Sequence, residues 1–191
     1  MTVLRRRLEP RGFRVVSFSY PSVTRSLEAN TAALEAYLDT VAGDTVHLVG
    51  HSLGGLLICA LLERRLPARL GRIVCLGAPF KGSLTAARAA RWPGGKGLIG
   101  ACLADVNARG GFTRVPAGAE VGSIAGRTPL GVGRLLGPFP GPHDGTVAVH
   151  ETKVDGLADH VVLPVSHFSL LWSASVAEQT EHFLLHGRFR R

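Results

Sequence analysis

The sharpest chemical signal in the chain is the run Gly50-His51-Ser52-Leu53-Gly54, followed at once by Gly55. It fits the pattern G-x-S-x-G. An apolar, strand-like segment (Thr45–Gly50) leads into it and an apolar, helix-like segment (Leu53–Leu66) leads out. A chain that passes from strand to helix in so few residues must turn sharply at Ser52, in a strained backbone conformation. Such a turn lifts the hydroxyl above the strand ends. It also sets Ser52 at the positive end of the following helix, where the Leu53 N–H can face a developing oxyanion. An ordinary helix cap would account for the serine but not for the glycines around it. Gly50 and Gly54 are expected to be glycine because a Cβ at either would collide with the neighbouring strand or helix.

A serine hydroxyl is a weak nucleophile and needs a base within hydrogen-bond reach, itself oriented by a carboxylate. In this turn-based arrangement the chain order is serine, acid, histidine. Eight histidines are available. His51 adjoins Ser52, so its side chain is expected to point away and pack beside the strand. His47 lies inside that strand, and His182 and His186 lie late in the last helix. Of the remaining His143, His150, His160 and His167, the last is the best candidate. It follows an apolar strand, His160–Val165, in a loop before a helix. A parallel sheet collects its active site at such strand ends. The acids between Ser52 and His167 are Asp105, Glu120, Asp144, Glu151, Asp155 and Asp159. Asp144, in His143-Asp144-Gly145-Thr146, falls in the loop after the preceding strand and is favoured, although Asp-Gly is also a plain turn signal. Asp155 and Asp159 lie near the start of the next strand, on the wrong edge of the sheet.

The elements that must hold these residues alternate along the chain. A helix ends near Pro10 and Gly12. Strand-like Arg14–Tyr20 follows, then a helix opening at Pro21 and Ser22, with Leu27, Leu34, Leu38 and Val41 on one face and a stop at Gly43. Further strands are expected at Thr45–Gly50, Arg72–Gly77, Glu120–Gly126 and His160–Val165, with helices over Leu53–Leu66 and Leu171–His186. This rhythm predicts an α/β fold, a mostly parallel sheet with helices on both faces. Residues 80–118 interrupt it. They read as a long Gly/Ala/Arg-rich loop with a short helix around Ser83–Arg91, a candidate lid or cover. Residues 127–146 read as a second Gly/Pro-rich loop.

At 191 residues the chain fits a single domain, 1–191. Its net charge is +8, and of 22 basic residues only Lys81, Lys96 and Lys153 are lysine. The arginines are spread along the chain without a recognisable binding module, so nucleic acid is not an expected partner. Cys59, Cys75 and Cys102 form no CxxC, which predicts neither a disulfide framework nor a metal site; Cys59 and Cys75 are expected as buried thiols. The N-terminus lacks the apolar core of a signal peptide. The apolar run Val46–Leu62 is too interrupted by His and Gly to span a membrane. The expectation is a cytoplasmic chain with no transmembrane segment.

The sequence resembles the α/β-hydrolase superfamily, in particular its small bacterial lipase- or esterase-like members. The resemblance rests on GHSLGG (50–55), LGAPFKGS (76–83), HDGTV (143–147) and VSHFSLL (165–171). It implies Ser52 as nucleophile, Asp144 as acid, His167 as base and Leu53 N–H as an oxyanion donor, with no metal or organic cofactor. It implies a small acyl ester or lipid-like substrate, with 80–118 covering the acyl pocket. One departure stands out. Members usually carry an earlier strand ending in His-Gly, whose loop supplies the second oxyanion donor, and no His-Gly precedes Ser52 here. That strand would lie between 14–20 and 45–50, so the expected fold is N-terminally shortened, with Met1 as an internal start. A thioesterase or acyltransferase with the same triad, and a non-catalytic scaffold of the same fold, are the alternative readings.

Overall fold

The computed structural model describes residues 1–92, 95–131 and 137–191, and for 95–98 the backbone alone. Helix α1 (Thr2–Leu8) runs into a short 3-10 turn. Then come α2 (Leu27–Thr40), β1 (Val46–His51), α3 (Leu53–Arg64), β2 (Leu70–Leu76), α4 (Leu84–Ala89), α5 (Gly95–Ala108), β3 (Val121–Gly126), β4 (Asp159–Leu163) and α6 (Ala174–His186). The strands form one parallel sheet in the order β1-β2-β3-β4.

Side chains alternate across β2 and divide the core into two layers. Ile73 and Cys75 face a cluster built from α2, α3 and α5, including Leu34, Leu56, Leu61 and Val106. Val74 and Leu76 face Leu4 and Leu8 of α1 and Val176 and Phe183 of α6. Helices therefore cover both faces, as the strand–helix rhythm predicts.

Three local expectations need correction. First, Arg14–Tyr20 joins no ladder. Its β-branched and aromatic residues suit a strand, but a strand is made by its neighbour. Here β1 is the edge of the sheet, and a trough of about 600 Å³ separates it from 12–20. Phe13, Val15 and Phe18 line one side, Val46 and Leu48 the other, and Leu34, Leu57 and Ile58 lie between. Second, α2 begins at Leu27 rather than at Pro21. Ser26 caps it by accepting the Ala29 N–H at 3.1 Å, and Asp105 accepts the Leu27 N–H at 2.8 Å. At its other end Arg69 donates to the carbonyls of Leu38, Val41 and Gly43, satisfying groups the helix leaves open.

Third, 80–118 holds the expected short helix, as α4, but also a second helix, α5, where loop was expected; Pro93 and Gly94 lie outside the described residues. The α5 helix is broken at Gly100, where φ is +73°. A Cβ there would come within 2.8 Å of the Val23 backbone, so only glycine allows this approach. Beyond the break, Cys102 and Val106 are buried in the core with Phe112 and Val115. The apolar spacing Ile99, Cys102, Leu103, Val106 is a helical signal that the surrounding glycines mask. Of the expected loop 127–146, residues 132–136 lie outside the described residues. All three cysteines are buried free thiols. Among the described residues no helix is long and apolar enough to cross a membrane.

Candidate active site

β1 delivers Ser52. At this residue φ is +53° and ψ −120°, and among the described residues it is the only non-glycine with positive φ. A positive φ with this ψ lies outside the regions an L-residue ordinarily occupies and costs on the order of 1–3 kcal/mol. The surroundings hold it there: Ser52 N–H donates to the Leu76 carbonyl at 2.8 Å, and the Gly55 N–H returns to the Ser52 carbonyl at 3.0 Å. The Leu53 N–H opens α3, in the first turn whose donors lack intrahelical partners.

The glycines divide differently from expectation. A Cβ on Gly50 would lie 2.6 Å from the Gly54 backbone, and one on Gly55 would lie 2.6 Å from the Ala78 Cβ. A Cβ on Gly54 would meet nothing closer than the Tyr20 hydroxyl at 4.0 Å. Gly50 is needed for the turn and Gly55 for packing α3 on β2, whereas Gly54 occupies open space.

Asp144 and His167 come together directly. His167 Nδ1–H donates to Asp144 Oδ2 at 2.7 Å, with the two side chains 5% and 1% exposed. The other carboxylate oxygen accepts the Thr146 and Val147 N–H groups at 2.9 and 2.7 Å, and the Asp144 carbonyl accepts the His167 N–H at 2.9 Å. The carboxylate is therefore fully engaged. With Nδ1 carrying the proton, the tautomer fixed by this network leaves His167 Nε2 as a lone pair. Two strand-end glycines make room. A Cβ on Gly77 would stand 3.2 Å from His167 Nδ1, and one on Gly126 would stand 2.8 Å from the Asp144 Cβ. Gly77 follows Leu76, whose carbonyl holds Ser52, so Asp144 and His167 pack against the end of β2, the strand next to the one that leads into Ser52.

Two neighbours take places the sequence reading did not give them, and the expectation that His51 packs away beside the strand is corrected. His51 turns back to the site: its Nε2–H donates to the His167 carbonyl at 2.9 Å, and the two ring centroids are 4.7 Å apart. Burial, and His167 beside it, lower its pKa to about 4. Glu151 is buried under the Asp144 loop and accepts the Leu84 and Ala148 N–H groups, each at 2.7 Å. Burial raises its pKa against those two bonds. It ties the start of α4 to the loop carrying Asp144, as does the Thr85 hydroxyl on the Thr146 carbonyl. No sequence signal foretells the His51–His167 or Glu151–Leu84 contact, because the partners lie 116 and 67 residues apart.

The rejected candidates have other occupations. Asp159 accepts the His160 and Phe189 N–H groups, and Glu120 pairs with Arg72. His47 Nδ1 accepts the Arg72 N–H at the register shift in the β1–β2 ladder. His160 Nε2 meets the Thr152 hydroxyl. Among the described residues no group of three or more His, Cys, Asp or Glu side chains could hold a metal ion.

A family model described as alpha/beta hydrolase family matches residues 1–185. No curated protein sequence matches the chain. Among solved structures, it is similar to the mature lipase BlEst2 of Bacillus licheniformis, at 19% identity and a TM-score of 0.64 over 88% of this chain and 76% of that one. It is also similar to a pyrethroid hydrolase of Sphingobium faniae, at 19% identity and a TM-score of 0.54 over 97% and 91% of the two chains. A metagenomic carboxyl esterase, MGS0156, matches at 18% identity and a TM-score of 0.58 over 76% of this chain. The chain spans about half, 52%, of that esterase's length. At these identities the likeness concerns the fold.

Proposed function

Since the chain belongs to the alpha/beta hydrolase family, we propose that it is a serine hydrolase that cleaves carboxylic esters through an acyl-enzyme. The observation that carries this reading is the buried 2.7 Å bond from His167 to Asp144 at the strand ends that hold Ser52 at φ +53°. A strained serine at a strand–helix turn and a carboxylate-oriented imidazole at the same end of the sheet are the parts nucleophilic acyl transfer requires.

In this reading Ser52 Oγ attacks the acyl carbonyl carbon while His167 Nε2 takes its proton. Asp144 holds the imidazole by Nδ1 and stabilises the imidazolium. The tetrahedral oxyanion is met by the Leu53 N–H at the positive end of α3. As the intermediate collapses, the carbon–oxygen bond to the alcohol breaks and His167 returns its proton to that oxygen. Water, deprotonated by His167, then attacks the acyl carbon; the bond from that carbon to Ser52 Oγ breaks, His167 returns the proton to Oγ, and the carboxylic acid leaves. Glu151 and Thr85 fasten the start of α4 to the loop that carries Asp144. With Leu53 as the one assigned backbone donor, turnover is expected to be slow. A missing oxyanion donor costs about 10²–10³ in kcat.

Labelling with a fluorophosphonate probe tests this. The wild type should label at a single site, and Ser52→Ala should not. A folded wild-type protein that resists the probe would leave the family fold serving as a non-catalytic scaffold instead.

A further inference from the structure

We infer that His51 is a positioning residue for His167, joining the turn that carries Ser52 to the loop that carries the base. The inference rests on the reading of Ser52 and His167 given above. Its basis is one contact the mechanism does not use. The His51 ring does not pack away from the site. It lies against His167 at 4.7 Å between centroids and 47° between planes, with Nε2 2.9 Å from the His167 carbonyl oxygen. A carbonyl only accepts, so Nε2 carries the proton and Nδ1 the lone pair.

The consequence is a base fixed on three sides. Its N–H is held by the Asp144 carbonyl, its Nδ1–H by the Asp144 carboxylate and its C=O by His51. The first two bonds tie His167 to the acid loop. The bond from His51 ties it to the sheet at the residue preceding Ser52. Because His51 and Ser52 are consecutive, the distance between hydroxyl and imidazole is set through a strut one residue long. Without it, the serine and the base would be related only through the sheet and the long connections after β3 and β4.

The strut must stay uncharged to work beside a base that becomes an imidazolium. Burial and the neighbouring His167 disfavour the charged form of His51, and Asp144 only partly offsets them. A neutral ring in van der Waals contact fills the space next to the base without opposing its protonation. A misplacement of about 1 Å between reacting groups costs on the order of 10² in rate, so the effect belongs in kcat rather than in KM.

The test uses the full chain with His51→Leu, which keeps bulk but removes the donor, and His51→Gln, whose amide can still donate. On p-nitrophenyl butyrate, His51→Leu should lower kcat by about 10- to 100-fold with KM little changed, and His51→Gln should recover most of the loss. The downfield Nδ1 proton signal of His167 should shift or broaden in the leucine variant and return in the glutamine variant. A leucine variant with wild-type kcat and an unmoved signal overturns the inference, as does a folded glutamine variant as impaired as the leucine one. If leucine prevents folding, nitrogen NMR of the wild type decides. The neutral Nε2–H tautomer of His51 at neutral pH is expected, and the Nδ1–H tautomer overturns it. A wild type that neither labels with fluorophosphonate nor turns over sinks the hydrolase reading instead, while the His167 signal still reports whether His51 holds the loop.

Discussion

Gly77 and His167 stand so close that a side chain on Gly77 would press directly on the imidazole. A Cβ on Gly77 would lie 3.2 Å from His167 Nδ1, 3.3 Å from Asp144 Oδ2 and 2.7 Å from a methyl of Leu170, and the residue has φ +57°. Gly77→Ala should therefore act on the fold and the site together. The backbone strain alone is about 1–2 kcal/mol, which for a chain of this size lowers Tm by about 2–8 °C. Displacement of His167 should also slow fluorophosphonate labelling. A thermal melt and a labelling time course on the same sample check both; an alanine variant that labels at the wild-type rate would show that the pair tolerates the push.

Asp144→Asn should separate orientation from folding. The amide retains the shape but presents the wrong group to Nδ1–H, and loss of the oriented tautomer costs about 10³–10⁴ in kcat in comparable triads. Asp159→Asn should leave kcat near the wild-type value and lower Tm, because Asp159 holds the Phe189 N–H and Arg191 instead. Steady-state kinetics with both variants would expose a wrong acid assignment if the two effects were exchanged.

Stability should fall on the acid side of neutrality. His51 and His160 are each pushed down to about 4, mainly by burial. Both are neutral in the folded state while the unfolded chain binds protons from about pH 6.5 downward. Their contribution is present above pH 6.5 and is lost as pH drops toward 4. Glu151, whose pKa burial raises, works in the opposite sense, because the folded state holds its proton more tightly. Two histidines outweigh one carboxyl, so Tm should decline between pH 6.5 and 4, and less steeply in His160→Gln. A flat Tm across that window would contradict the assignment of both rings as neutral.

Gly54→Ala should be tolerated, since the new Cβ meets nothing within 4 Å except the Tyr20 hydroxyl at 4.0 Å. A helical alanine in place of glycine gains up to about 1 kcal/mol. Gly50→Ala and Gly55→Ala should each lower Tm by several degrees or prevent folding, because their Cβ atoms would stand 2.6 Å from the Gly54 backbone and the Ala78 Cβ. Melting curves of the three variants distinguish a motif glycine that the turn needs from one it does not.

The legible features of the sequence share one property: their physics is local. The strand–turn–helix at Gly50–Leu53 follows from two apolar runs and the glycines between them. β1 to β4, α3 and α6 fall within a few residues of the segments expected from periodicity. Ser52, Asp144 and His167 then fall in the connections that leave the C-terminal ends of β1, β3 and β4, at one end of the sheet. What failed was whatever needed a partner. Arg14–Tyr20 has the composition of a strand and no ladder, because the neighbouring position in the sheet is a trough. The α5 segment looked like loop because its glycines hide a helix whose stability comes from burying Cys102 and Val106 against distant residues.

The sequence by itself determined the fold class and the order of the candidate residues, because hydrophobic periodicity and turn chemistry act over a few residues. Only the tertiary structure decided which glycine the turn requires, that His51 faces His167 rather than away from it, and that β1 is left as a sheet edge. Each of these depends on how closely the folded backbone brings particular atoms together, across a turn for Gly50 and across 116 residues for His51 and His167, and spacing along the sequence carries no record of those distances.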